Sequence, residues 1–173
     1  MTKPQFDPAS EIVSEAFIVR AATLADYEGM CALLAEVDEL HRLGVPWMFQ
    51  KPIAEPRSKE FFEDLLSSED SALLVAVAGT QIVAVATALL RSAPDFALFI
   101  SQSWGVLDNI AVAQAWRRRG VGRALVRDVE RWLRGRGANW TELGVYEFND
   151  GARAFYQNLG YLPVLTKLRK PFG

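Results

Sequence analysis

Between Val106 and Leu133 the sequence passes from a strand pattern through an arginine- and glycine-rich loop into an amphipathic helix. No other stretch constrains the fold as tightly. Val106 to Val112 reads as a strand. After a short connection, Arg117-Arg118-Arg119-Gly120-Val121-Gly122-Arg123 opens a helix whose Val121, Ala124, Leu125, Val129, Trp132 and Leu133 recur at helical spacing. Gly135 and Gly137 then end it. Glycine lacks a Cβ, so backbone at Gly120 and Gly122 can turn sharply and approach a ligand. The amides of a first helical turn have no intrahelical partner and lie at the positive end of the helix dipole. Ringed by arginines, such a turn suits a phosphate or pyrophosphate. An arginine run by itself is more often a solvated face. Its placement directly before the glycines and the helix start favours anion binding here.

The kind of anion site is narrowed by what the loop lacks. A nucleotide-binding loop of the Gly-x-x-x-x-Gly-Lys-Ser/Thr type does not occur. A dinucleotide fingerprint would place a third glycine where Leu125 stands, although Glu142 lies at a plausible distance for a ribose-binding acid. Charge is concentrated at this point. Residues 117–136 hold eight arginines against Asp128 and Glu130, a local charge of +6, while the rest of the chain carries 11 basic and 19 acidic side chains. Proteins that bind nucleic acid usually spread basic charge over a broad face. Confinement to one loop and helix suits a small phosphorylated ligand, and the acidic remainder suits a cationic partner.

Arg117-x-x-Gly120-x-Gly122 resembles the pyrophosphate-binding motif of the GNAT-type N-acetyltransferase superfamily. Asp108-Asn109-Ile110-Ala111-Val112 is similar to the strand that precedes that motif, and Asn149, Ala152, Phe155-Tyr156, Leu159-Gly160-Tyr161 to a later segment of the family. The resemblance implies an α/β GNAT acyltransferase fold, a mixed central β-sheet flanked by helices on both faces. It also implies acetyl-CoA as donor and no metal.

The rest of the chain agrees with one such domain over residues 1–173. The length suits a single hydrophobic core, and half of the residues are hydrophobic. Residues 1–15 read as an arm and residues 16–20 as a first strand. Thr23 to Asp26 resembles a capping box before a helix with Tyr27, Met30, Cys31, Leu34 and Val37 on its buried face. Glu36 to Pro52 follows no clear period, and its Leu40-His41, Pro46, Phe49 and Pro52 make an aromatic and proline-punctuated segment that could cover a pocket. A second helix begins at 56–58 and buries Phe61, Phe62, Leu65 and Leu66. Gly79-Thr80 joins two apolar strands as a hairpin. Residues 91–103 form either a β-excursion or a lid. Strands at 140–146 and 161–168, with a helix at 150–159 between them, complete the order β-α-α-β-β-β-α-β-α-β. The only cysteine, Cys31, permits no internal disulfide and fits a reducing cytoplasm. With one histidine besides, a zinc site is improbable. No apolar run is long enough for a bilayer, and no signal peptide is recognised.

Acetyl transfer to an amine needs a neutral nucleophile, a polarised carbonyl and a proton for the leaving thiolate. Asp108, on the strand that meets the cofactor, is the candidate base through water, with His41 and water itself as alternatives. The resemblance assigns backbone of Ile110, Ala111 and Val112 to acetyl-CoA, with a bulge freeing the amides: Ile110 toward the acetyl oxygen, Val112 toward the pantetheine arm. It assigns Arg117, Arg118, Arg119, Gly120, Val121, Gly122 and Arg123 to the pyrophosphate, Asn149 to the cofactor and Tyr156 to protonation of the thiolate. A helix cap for Asn149 and aromatic packing for Tyr156 are the plainer roles of those residue types. The expected function is transfer of an acetyl group from acetyl-CoA directly to a primary amine of a small molecule or a protein N-terminus. The alternatives are a non-catalytic acyl-CoA sensor of the same fold and a nucleic-acid-binding domain using the arginine helix. No nucleic acid or membrane partner is expected; a homodimer is compatible.

Overall fold

The computed structural model describes residues 17–172, so the N-terminal arm expected over 1–15 lies outside the described residues, as does Ala16. The chain divides into two compact units, Met1–Leu143 and Gly144–Gly173.

The first unit is built on a five-stranded sheet in chain order: β1 (Ile18–Ala21), β2 (Ser71–Ala78), β3 (Gln81–Ser92), β4 (Ser103–Val112) and β5 (Ala138–Glu142). The first four are antiparallel, and β5 runs parallel to β4. Parallel pairing requires a crossover, which α3 (Val121–Gly135) supplies. Before the hairpin come α1 (Tyr27–Gly44) and α2 (Lys59–Ser67). One face of the sheet is covered by α1 and α2: Met30, Cys31, Leu34 and Phe62 pack with Val75, Val77, Val85 and Ala111. The other is covered by α3. A Cβ built on Gly105 would lie 2.1 Å from Leu133 Cδ1, so only glycine lets α3 sit this close to β4. Strands β2 and β3 are buried through their middles, which is why they read as continuous apolar runs rather than alternating ones.

Local signals act where expected. The Asp26 carboxylate accepts from the Thr23 amide at 2.8 Å and is bound by both terminal nitrogens of Arg20 at 2.7 Å. The Ser58 hydroxyl caps α2 by accepting from the Phe61 amide. Gly79 turns the hairpin at φ +60°. The excursion is a long hairpin, pairing Ser92 with Ser103, whose connecting loop exposes Phe96, Leu98, Phe99 and Ile100.

Three expectations are corrected. Helix α1 continues through His41 to Gly44, so the irregular segment begins later than expected. Phe61 is 44% exposed while Phe62 is fully buried, because on a nine-residue helix against one sheet only a narrow stripe faces inward. The strand expected at 161–168 is not formed. Residues 161–172 pair with no strand among the described residues, Leu162, Val164, Leu165 and Leu168 are at least 80% exposed, and Pro163 contributes no amide to a ladder. The second unit thus consists of α4 (Asp150–Gln157), its approach, and a tail without regular secondary structure.

Candidate active site

The site is organised by an irregularity in β4. In the pairing with β3, Thr87 faces Asn109 but Ala88 faces Leu107, leaving Asp108 as one residue too many. This is a β-bulge. Because side chains alternate along a strand, one extra residue exchanges the two faces beyond it. Gly105 before the bulge faces Leu133 of α3, whereas Ala111 after it lies in the core beneath α1 and α2. An uninterrupted strand would put these two odd-numbered residues on one face.

The other edge of β4 opens at nearly the same place. Pairing with β5 ends at Val106–Glu142, so from Leu107 to Val112 no β5 residue pairs with β4. The Ala113 amide donates to Val83 of β3 at 2.9 Å. Alternation along the strand then directs the amides of Ile110 and Val112 away from β3, toward the open side, and that of Ala111 back to β3. The Val112 carbonyl points the same open way and accepts from Arg117 Nε at 2.9 Å. Asp108, at the bulge, is exposed and its carboxylate accepts from Asn109 Nδ2 at 2.6 Å.

The loop after β4 makes a short 3-10 turn at Gln114–Trp116 and then delivers α3. Its backbone is contorted: Arg118 lies at φ 63° and Gly120, the N-cap of α3, at φ 85°. Nothing lies within 4 Å of where a Gly120 Cβ would stand, so the loop is open in front of the helix. The first-turn amides of α3, Val121 to Arg123, face this opening without carbonyls one turn back. The arginines divide their work. Arg117 stays exposed, and at the surface its guanidinium donates to the Val112 carbonyl at 2.9 Å and to Glu36 of α1 at 3.1 Å. Arg119 lies over the Trp116 ring, 5.3 Å from its centroid. Arg118 and Arg123 are exposed beside the helix start. The turn, the helix amides and these guanidiniums are suited to a pyrophosphate. Glu36 was missed from sequence because it lies 81 residues from Arg117.

In the second unit, Asn149 is the N-cap of α4, its Oδ1 accepting from the Ala152 amide at 3.1 Å. The plainer role is therefore filled, and the side-chain amide nitrogen is not used by the cap. Tyr156 is 8% exposed and packs edge-on against Phe155 and Tyr161. Burial pushes its hydroxyl up to about 12, so at neutral pH it is a phenol, able to donate and unable to act as a base. His41 stacks on Phe49, and burial lowers its pKa against the opposing pull of Asp38. Among the described residues no group of three or more metal-ligating side chains comes together, and no helix is long and apolar enough to cross a membrane.

A second cluster was also missed. Trp104 of β4 and Trp140 of β5 stack with rings 6° from parallel, and their indole nitrogens donate to the two oxygens of Glu142 at 3.0 and 3.4 Å. The two-residue spacing of Trp140 and Glu142 on a strand was the available signal.

Comparisons with known proteins agree with this architecture. A mutant form of the BH1408 protein from Bacillus halodurans superposes with a TM-score of 0.85 at 26% identity, over 90% of this chain and 99% of that one. An aminoglycoside acetyltransferase from an uncultured soil metagenomic sample gives 0.71 at 16% identity, over 93% and 99%. Glucosamine-6-phosphate N-acetyltransferase from Arabidopsis thaliana gives 0.68 at 18%, over 91% and 99%. At these identities the last two likenesses speak to fold alone. No curated protein matches the sequence significantly. The family model described as acetyltransferase (GNAT) matches residues 34–161, and with the bulged β4, the mixed sheet and the arginine–glycine turn it shows that the chain belongs to the GNAT acetyltransferase family.

Proposed function

We propose that the protein is an acetyl-CoA-dependent N-acetyltransferase that passes the acetyl group directly to a primary amine of a small molecule or a protein N-terminus. The observation that carries this reading is the coincidence, on one strand, of the Asp108 bulge, the end of β5 pairing and the arginine–glycine turn. Together they support two free amides followed by an anion-binding helix start. Acetyl-CoA would supply the activated thioester.

In this reading the Ile110 amide donates to the acetyl oxygen, where negative charge develops, as a preorganised oxyanion donor. The Val112 amide holds the pantetheine arm. Gly120, Val121, Gly122 and Arg123 bind the pyrophosphate through backbone amides, with Arg118 and Arg123 adding charge. Arg117 and Arg119, exposed on the same loop, add further positive charge to the pyrophosphate site while their contacts to Glu36 and Trp116 hold the loop in shape. Asp108, exposed and oriented by Asn109, takes the acceptor's proton through water. That proton must leave, since a lysine-like amine titrates near 10.4.

The family resemblance gives Tyr156 the leaving-group role, and its buried hydroxyl refines how it acts. A phenol at about 12 is a weaker acid than a thiol, which titrates near 8.5. Full proton transfer to a free thiolate is therefore uphill by roughly 5 kcal/mol. A hydrogen bond to the sulfur as charge develops is the easier contribution. Incubation with acetyl-CoA and a panel of primary amines, following release of free coenzyme A, tests the reading. Amine-dependent release with an acetylated product is expected. Tight acetyl-CoA binding without release would make the protein a sensor, and no binding would overturn the assignment.

A further inference from the structure

The cluster of Trp104, Trp140 and Glu142 is not used by the chemistry above, yet it sits where β4 and β5 part. Val106–Glu142 is the last pair of that ladder. Gly105 faces α3, so alternation places Trp104, Val106 and Glu142 on the opposite face. That end of the face remains open: Trp140 is 41% exposed, while Trp104 and Glu142 are half-buried. The two indole donors fix the Glu142 carboxylate in place. An ionised carboxylate offers about four lone-pair sites, and the indoles occupy two. The outer face of Trp140 adds an aromatic surface that attracts cations. One exposed and one half-buried indole, with a carboxylate between their donor edges, make a fixed seat for an organic ammonium.

We propose that Trp104, Trp140 and Glu142 form a subsite for a second cationic group of the acceptor, which is therefore an extended diamine or polyamine rather than a simple monoamine. This rests on the acetyltransferase reading, in which the acetyl oxygen meets the Ile110 amide. Ile110 is four residues along β4 from Val106, the partner of Glu142. At roughly 3.3 Å per residue, shortened by the bulge, the two points lie on the order of 10 Å apart. One ammonium seated on Glu142 thus leaves its partner, deprotonated, to meet the thioester only if the acceptor spans that distance. The concentration of acidic charge outside residues 117–136 favours the same class of acceptor.

The test uses two probes of equal apolar length, 1,8-diaminooctane and n-octylamine. With the wild-type protein and acetyl-CoA, kcat/KM for the diamine should exceed that for octylamine by about tenfold, as one charge-assisted hydrogen bond allows. In Glu142→Gln the ratio should fall to near one, with the change in the KM of the diamine rather than in kcat. Equal kcat/KM for the two amines in the wild type overturns the proposal, and that comparison decides it even if the variant does not fold. Titration of tryptophan fluorescence with 1,8-diaminooctane, without acetyl-CoA, separates this idea from its parent. A saturable change that weakens about tenfold in Glu142→Gln supports the subsite even if the protein releases no coenzyme A. No saturable change, or an equal one in both proteins, removes the subsite even if acetyl transfer is real.

Discussion

Gly120→Ala isolates the role of the turn before α3. At φ 85° an L side chain costs about 1–2 kcal/mol in backbone strain. Open space at the Cβ position means that no steric term adds to this. For a chain of this size each kcal/mol lowers the melting temperature by about 2–4 °C, so a fall of roughly 2–8 °C is expected with unchanged circular dichroism. Ligand binding should suffer separately. If a pyrophosphate oxygen approaches the bare Cα, a methyl group displaces it from one charge-assisted hydrogen bond of about 1.5–3 kcal/mol, or about 10- to 150-fold in Kd. Gly79→Ala is the control, because Gly79 has φ 60° and equally open surroundings but turns the hairpin of β2 and β3. It should lower the melting temperature similarly and leave affinity alone. Calorimetric titration of both variants with acetyl-CoA reads the difference. If Gly120→Ala and Gly79→Ala bind acetyl-CoA alike, backbone approach at Gly120 is not how the ligand is held.

Tyr156→Phe should lower kcat by about 10- to 150-fold, the value of a hydrogen bond to a charged group, with acetyl-CoA affinity little changed; equal kcat where chemistry limits the rate would remove the hydroxyl from the mechanism. Its pKa is raised to about 12, so Tyr156 stays protonated below that and its ionisation should take no activity away between pH 7 and 10 in a pH–rate profile. The pairing with Arg20 and the Thr23 amide depresses the folded-state pKa of Asp26, so its stabilisation is present above the ordinary carboxylate range near 4 and is lost as pH falls through the folded value. Asp26→Asn should flatten the acid limb of a denaturation curve measured against pH, and an unchanged limb would mean that this pair contributes nothing. Gly105→Ala should destabilise by about 1–3 kcal/mol through overlap with the buried Leu133, and Leu133→Ala should relieve part of that loss in the double variant; strict additivity in urea melts would count against the contact.

The sequence by itself determined what depends on near neighbours along the chain. Turn chemistry marked Gly79, periodicity marked α3, and the arginines and glycines marked the helix start as a candidate anion site before any strand was placed. The resemblance to a known family added the expected donor and the proposed roles of Tyr156 and Asn149. Tertiary structure alone decided how the pieces face one another. A bulge is a mismatch between two strands, so Asp108 could be identified as the extra residue only once β3 was laid beside β4. The pairing of Arg117 with Glu36, far along the chain, also appears only once α1 is placed beside the loop. Nothing in the sequence ties Trp104 to Trp140 and Glu142, and the three become a cluster because parallel pairing brings β5 beside β4. The apolar tail after Gly160 looks like a strand for the converse reason. Composition gives a segment the capacity for a ladder, but only a partner strand can supply the hydrogen bonds that make it one.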